Sequence, residues 1–287
     1  MPHAYPLLDL EVRTPRLALA GATDDLLERL VPVIREGVVS AGHMPFDDPM
    51  SLYEDSPQRE WKWLRAIWAG RARVDPQRWR LYFVVMVEGS PIGMQDLIGT
   101  DFAAFGTVST FSWLQPSFRC RGLGTEMRSA ILHLAFDGLD ARKASSEAFT
   151  DNEASNAVSR ALGYEPNGTT WATRRGNPAP LTAWKLTREN WEQSRRDDIQ
   201  LTGVEACLPV LGLERPQRAD AHSWSALPRT AGTLRNSFSR TAAIGLTMFG
   251  LTDPSDHYEL GDPVRNESTR EAKGVPSWNR NPCPASG

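Results

Sequence analysis

Along residues 11–190 the apolar positions keep changing period, and each change marks an element. Leu17 and Leu19, after Arg13-Thr14-Pro15, read as a short edge strand, where a proline's missing donor does no harm. Asp24-Asp25 open a helix with the stripe Leu27, Leu30, Val31 and Ile34, and two carboxylates suit the positive end of its dipole. Residues 37–56 read as loop, with Gly37, Gly42, Pro45 and Pro49. A second helix is expected over 58–69, with Trp61, Leu64 and Trp68 marking its core stripe and Gly70 ending it.

The period then drops to two. Residues 79–87, 92–102 and 108–114 read as strands, the first pair joined by the turn Glu88-Gly89-Ser90-Pro91. Helical spacing returns over 122–136, with Met127, Ala130, Ile131 and Leu134 on one face. A strand over 141–149 follows, then a helix carrying Ala154, Ala157, Val158, Ala161 and Leu162 that Gly163 stops. Segments 171–174 and 181–186 close the sheet. This order predicts an α+β domain over residues 1–213, with a mixed, mostly antiparallel central sheet flanked by helices. Residues 214–287 hold only 10 Leu, Ile, Val or Phe in 74, too few for a core. They are expected to form a poorly ordered or loosely docked extension.

Composition narrows the class without choosing within it. The 287 residues are 40% hydrophobic and 23% charged with a net charge of −3, so no basic field is present to hold nucleic acid. The longest strongly apolar run, 81–87, is far below the ~18 residues of a membrane helix. Met-Pro-His-Ala-Tyr-Pro lacks a basic head and an apolar stretch, which argues against a secretory signal. Cys120, Cys207 and Cys283 suit neither a disulfide framework nor a zinc site. The expectation is a cytoplasmic protein without a metal.

Chemistry concentrates in Arg119-Cys120-Arg121-Gly122-Leu123-Gly124-Thr125, at a strand–helix junction. Glycines let backbone approach a ligand closely, and the first N–H groups of the helix point outward unpaired beside two arginines. The segment is an anion cradle by these criteria. It is neither G-x-G-x-x-G nor a P-loop, since no Gly-Lys-Ser/Thr follows. Cys120 has no His or Asn partner nearby in sequence and is not expected to be a nucleophile.

One strand–helix unit later stands Asn152-Glu153-Ala154-Ser155-Asn156-Ala157-Val158, closed by Leu162-Gly163-Tyr164. The pair R-x-x-G-x-G and N-x-x-S-N-x-V-x-x-x-L-G-Y resembles the GNAT superfamily of N-acetyltransferases, and within it the RimJ/RimL-like ribosomal-protein-alanine N-acetyltransferase branch. Thr14-Pro15-Arg16-Leu17 and Met44-Pro45-Phe46 resemble the same branch, and the likeness covers residues 11–213.

The resemblance implies acetyl-CoA as co-substrate and a primary amine as acceptor, either a protein N-terminus or a small amine, attacked directly in a ternary complex. It places the CoA diphosphate on Arg119, Arg121, Gly122, Leu123, Gly124 and Thr125. The pantetheine arm then lies between strands 108–114 and 141–149, its amides paired near Trp113, Leu114 and Gln115. It assigns Asn152 to the cofactor arm and the Ser155 hydroxyl to the leaving sulfur, with Ser159 standing where many relatives carry a tyrosine. His43, Met44, Phe46 and Trp63 are expected to line the acceptor groove, Trp61 and Trp68 the core.

No carboxylate lies in residues 109–114, so Asp96, Asp101, Glu147 and His43 are the candidate bases. That gap motivates a rival expectation, a non-catalytic acyl-CoA-binding module that meets a partner through its tail. Neither nucleic acid nor membrane is expected as a partner, and the protein is expected as a monomer or homodimer.

Overall fold

The chain begins by doubling back at Thr14, whose amide bonds to the Leu17 carbonyl at 2.9 Å and so joins β1 (Glu11–Arg13) to β2 (Ala18–Gly21). In the computed structural model, which describes residues 2–39, 45–46 and 51–214, this hairpin starts a nine-stranded sheet. The expected extension therefore lies, apart from Glu214, outside the described residues. After α1 (Asp24–Glu36) and α2 (Gln58–Ala72) come β3 (Arg78–Val87), β4 (Ser90–Thr100), the short α3 (Phe102–Phe105) and β5 (Thr107–Leu114). Next are α4 (Leu123–His133), β6 (Lys143–Phe149), α5 (Glu153–Ala161), β7 (Glu165–Arg174) and β8 (Asn177–Thr187). The described part ends with α6 (Arg188–Gln193), β9 (Gln200–Thr202) and α7 (Val204–Cys207).

The strand order is β7-β8-β6-β5-β4-β3-β2-β1-β9. Every neighbouring pair is antiparallel except β5 and β6. The mixed, mostly antiparallel sheet is thus as expected. The single parallel pair is forced by the intervening α4, since a helical crossover returns the chain in the same direction.

Alternation gives the sheet two apolar faces. On one, Leu81, Phe83 and Val85 of β3 share a core cluster with Met127, Ala130 and Ile131 of α4. On the other, α1 buries Leu27, Leu30 and Ile34, and α2 buries Trp63 and Ile67. Thr23 caps α1, its hydroxyl accepting from Leu26 N–H at 3.3 Å.

Four local expectations are corrected. β2 is an interior strand between β1 and β3, because the chain supplies β1 and then β9 outside it. α2 runs through Gly70 to Ala72. A Cβ at Gly70 would stand 1.9 Å from the Tyr82 hydroxyl, so this glycine serves the close approach of helix and sheet. The core face of α2 is Trp63 and Ile67, while Trp61 and Trp68 are 59% and 46% exposed. The Trp68 indole instead donates to Asp24 at the start of α1, at 3.1 Å. In α5 the buried positions are polar: Asn156 donates to the Phe149 carbonyl at 3.0 Å and accepts from the Trp184 indole at 2.9 Å. The alanines of that helix lie mostly outside.

Candidate active site

The glycine segment opens α4 as expected. Gly122 stands at φ 75°, in the left-handed region, and its carbonyl accepts from Glu126 N–H at 3.1 Å. The N–H groups of Leu123, Gly124 and Thr125 precede that first helical bond and remain directed outward at the positive end of the helix. Among the described residues a Cβ on Gly124 would meet only Val158, at 3.8 Å. Nothing among the described residues covers this first turn.

The two arginines play different parts. Arg119 donates to the Leu114 carbonyl at 3.0 Å and also to the Val38 carbonyl, and burial pulls its pKa down. It braces the end of β5. Arg121 lies with its guanidinium 5.4 Å from the Phe118 ring centroid, free of any carboxylate among the described residues. Cys120 sits at φ 58°, in the left-handed region. Cys207 is free, and burial pushes its pKa up to about 12.

Beside the cradle the sheet opens. β5 and β6 pair only at Thr107–Lys143, Val108–Ala144 and Ser109–Ser145. Beyond that the two strands run on without pairing, to Leu114 and Phe149. On the β4 side the ladder continues, and Gln115 N–H bonds to the Ile92 carbonyl at 2.8 Å. Alternation from that bond commits Trp113 to β4 and turns the peptide groups of Ser112 and Leu114 toward β6. Of the three residues expected to meet an added strand, Leu114 faces the opening. Trp113 and Gln115 have their N–H groups engaged elsewhere.

At the start of α5, Asn152 is the N-cap, its Oδ1 accepting from Ser155 N–H at 3.2 Å. The Ser155 hydroxyl makes no hydrogen bond among the described residues and is half-buried. Ser159 is fully buried, and its hydroxyl has no hydrogen-bond partner among the described residues.

On the α2 side of the sheet lies a second polar centre that spacing alone left unresolved. Asp96 of β4 is buried, directly opposite Phe111 of β5. One carboxylate oxygen takes Arg80 Nε at 2.9 Å, and the other is buried without a partner. Burial raises its pKa to about 6 despite the Arg80 guanidinium. The Arg80 guanidinium lies over Tyr82 and Phe111, and Phe111 packs on Phe46 with centroids 5.6 Å apart. Phe46 is held by Tyr53, whose hydroxyl accepts from its N–H at 2.6 Å. Trp63 of α2 is buried as well. His43 and Met44 lie outside the described residues. Of the other expected bases, Asp101 is exposed at the start of α3, and Glu147 accepts from Thr170 at 3.2 Å.

Sequence reasoning missed one pair that shapes the cradle. Glu126, 3% exposed on α4, accepts from Thr14 Oγ1 at 2.6 Å and from Arg16. Arg16 also donates to the Arg121 carbonyl at 3.0 Å. The signal was available: a glutamate inside an otherwise apolar helix face needs partners, and Thr14 and Arg16 were already conspicuous. Among the described residues no group of three or more His, Cys, Asp or Glu is placed to hold a metal ion.

A mixed sheet that parts between two parallel strands beside a glycine-opened helix defines a class of fold, and comparison with known proteins gives its family. The family model described as acetyltransferase (GNAT) domain matches residues 16–165. The chain belongs to the GNAT family of N-acetyltransferases. Its fold is similar to that of Mycobacterium smegmatis RimJ in complex with CoA-disulfide, at 15% identity and a TM-score of 0.56, covering 71% of this chain and 95% of that one. It is also similar to the Microcin C7 self immunity acetyltransferase MccE in complex with acetyl-CoA and AMP, at 14% identity and a TM-score of 0.50, covering 60% and 93%.

Proposed function

We propose that this chain transfers the acetyl group of acetyl-CoA to a primary amine, on a protein N-terminus or a small molecule, in a ternary complex. The observation that carries the reading is the gap between β5 and β6 next to the outward N–H groups at Gly122. The bound co-substrate supplies an activated thioester. The protein's share is placement: the backbone of Leu123, Gly124 and Thr125, with Arg121, receives the diphosphate. The peptide groups of Ser112 and the N–H of Leu114, whose carbonyl is held by Arg119, are offered to the pantetheine amides as an edge strand would offer them. RimJ and MccE, which bind CoA-disulfide and acetyl-CoA, support this use of the fold.

The same geometry separates the two proton tasks. Asp96 lies on the α2 face, with an unpaired oxygen and a pKa near the working range of a base. It takes the proton that the acceptor ammonium must lose, so the missing carboxylate on β5 is supplied from the neighbouring strand. The Ser155 hydroxyl, uncommitted to any protein group, donates to the departing sulfur. Phe46, Phe111 and Trp63 form the apolar side of the acceptor site. A cytoplasmic location belongs to the same reading.

Release of free CoA thiol from acetyl-CoA in the presence of an amine and peptide library tests the proposal. Turnover with acetylated product identified by mass spectrometry is expected. Binding of acetyl-CoA without turnover across the library would favour a binding module instead.

A further inference from the structure

Among the described residues Arg128 is a cation without a counter-ion. It projects from α4, is 4% exposed, and forms no ion pair among the described residues. Its guanidinium donates to Ser146 Oγ of β6 at 3.1 Å and to Ser112 Oγ of β5 at 3.3 Å, while Nε is buried without a partner. Neutral hydroxyls are weak compensation for a buried charge. Around it lie two more buried hydroxyls, those of Thr110 and Tyr164, and Tyr164 interacts with both Arg128 and Thr110. Gln95, opposite Ser112 in the ladder, is neutral and adds no charge.

Its position is as informative as its charge. Ser109–Ser145 is the last pair between the parallel strands, so Ser112 and Ser146 flank the closed end of the gap. A pantetheine arm laid along β5 from the glycine turn carries two amides. Extended, it covers about four residue steps, roughly 13 Å, from Leu114 back past Ser112 to Thr110, which brings its sulfur to this end. Asp96 and the aromatic residues lie on the opposite face, with α2. The amine thus approaches from one side and the sulfur is received on the other.

We infer that Arg128 is the electrostatic stabiliser of the leaving thiolate, an assignment that rests on the acetyl-CoA reading above. In the step, the amine nitrogen forms a bond to the thioester carbon and the C–S bond breaks. The sulfur keeps the electron pair; the ammonium proton is already on Asp96 before attack, and the second nitrogen proton leaves to solvent as the amide forms. The negative charge then forms beside the guanidinium.

The test reads charge rather than rate. Bound CoA is titrated through the ultraviolet absorbance of its thiolate, in the full chain and in Arg128→Gln and Arg128→Lys, with circular dichroism confirming that each is folded. The expected result is a thiol pKa below that of free CoA. Arg128→Gln should raise it by about one to three units, and Arg128→Lys should keep most of the depression. A bound thiol that titrates alike in the wild type and a folded Arg128→Gln overturns the assignment while leaving the CoA site intact. Absence of CoA binding in the wild type would instead reject the underlying function. If Arg128→Gln does not fold, Arg128→Lys with Ser112→Ala decides: the lysine must hold the depressed pKa and the alanine must weaken it.

Discussion

Arg16 and Glu126 are joined across the start of the glycine cradle. The guanidinium of Arg16 holds the buried carboxylate and, through Nη1, the carbonyl of Arg121. The loop that presents the N–H groups of Leu123, Gly124 and Thr125 is therefore tied to the first hairpin of the sheet. Burial alone would raise the Glu126 pKa, but hydrogen bonds from Thr14 and Arg16 hold it below the ordinary carboxylate range.

That strut has a stability signature. A carboxyl whose folded pKa is lowered stabilises the protein above its unfolded value, and the contribution is lost as pH falls through the folded one. Glu126→Gln should lower stability by about 1–3 kcal/mol at neutral pH. It should also flatten the acid limb of a denaturation series and weaken CoA binding through the loosened loop. Chemical denaturation at several pH values, with calorimetry for CoA, checks both.

Asp96 behaves in the opposite sense. Its folded pKa, raised to about 6 from 3.8, means the folded state binds the proton more tightly than the unfolded chain. Its contribution to stability therefore declines as pH rises from about 4 to 6. Asp96→Asn should remove that decline and cut turnover by roughly 10²–10⁴-fold. Wild-type turnover should rise with pH through about 6. A variant with an unchanged rate and profile would remove Asp96 from the mechanism.

Gly124 and Gly122 should separate binding from folding. Among the described residues nothing closely opposes a Cβ at Gly124. Gly124→Ala should therefore leave stability unchanged or raise it by up to about 1 kcal/mol, while weakening CoA binding at least about tenfold by filling the ligand's approach. Gly122→Ala carries the strain of φ 75° and should destabilise by about 1 kcal/mol. Thermal unfolding with and without CoA distinguishes the two.

Ser155→Ala should reduce kcat by roughly 10- to 100-fold with the Kd for acetyl-CoA nearly unchanged, as expected for a donor that acts when charge develops on sulfur. Equal losses in binding and rate would make Ser155 a cofactor contact instead.

Much of this was legible in the chain because backbone chemistry is local. Gly122 must take a left-handed conformation to open α4, and Asn152 caps α5 from its own sequence position. What failed depended on partners distant in sequence. Trp61, Leu64 and Trp68 make as regular a stripe as Trp63 and Ile67, and only the sheet beneath decides which set is buried. Gly70 reads as a helix stop until Tyr82 is seen against it. Asp96 was one of several carboxylates until β3 and β5 enclosed it with Arg80 and Phe111. Arg128 drew no attention on its helix, since its importance comes from two serines on strands that part.

The most direct measurement is a crystal structure with CoA bound. Density for the diphosphate within hydrogen-bonding distance of the Leu123, Gly124 and Thr125 amides, and for the arm between β5 and β6, is the predicted result. A diphosphate seated elsewhere, with the gap between Ser112 and Ser146 unfilled, would contradict the account.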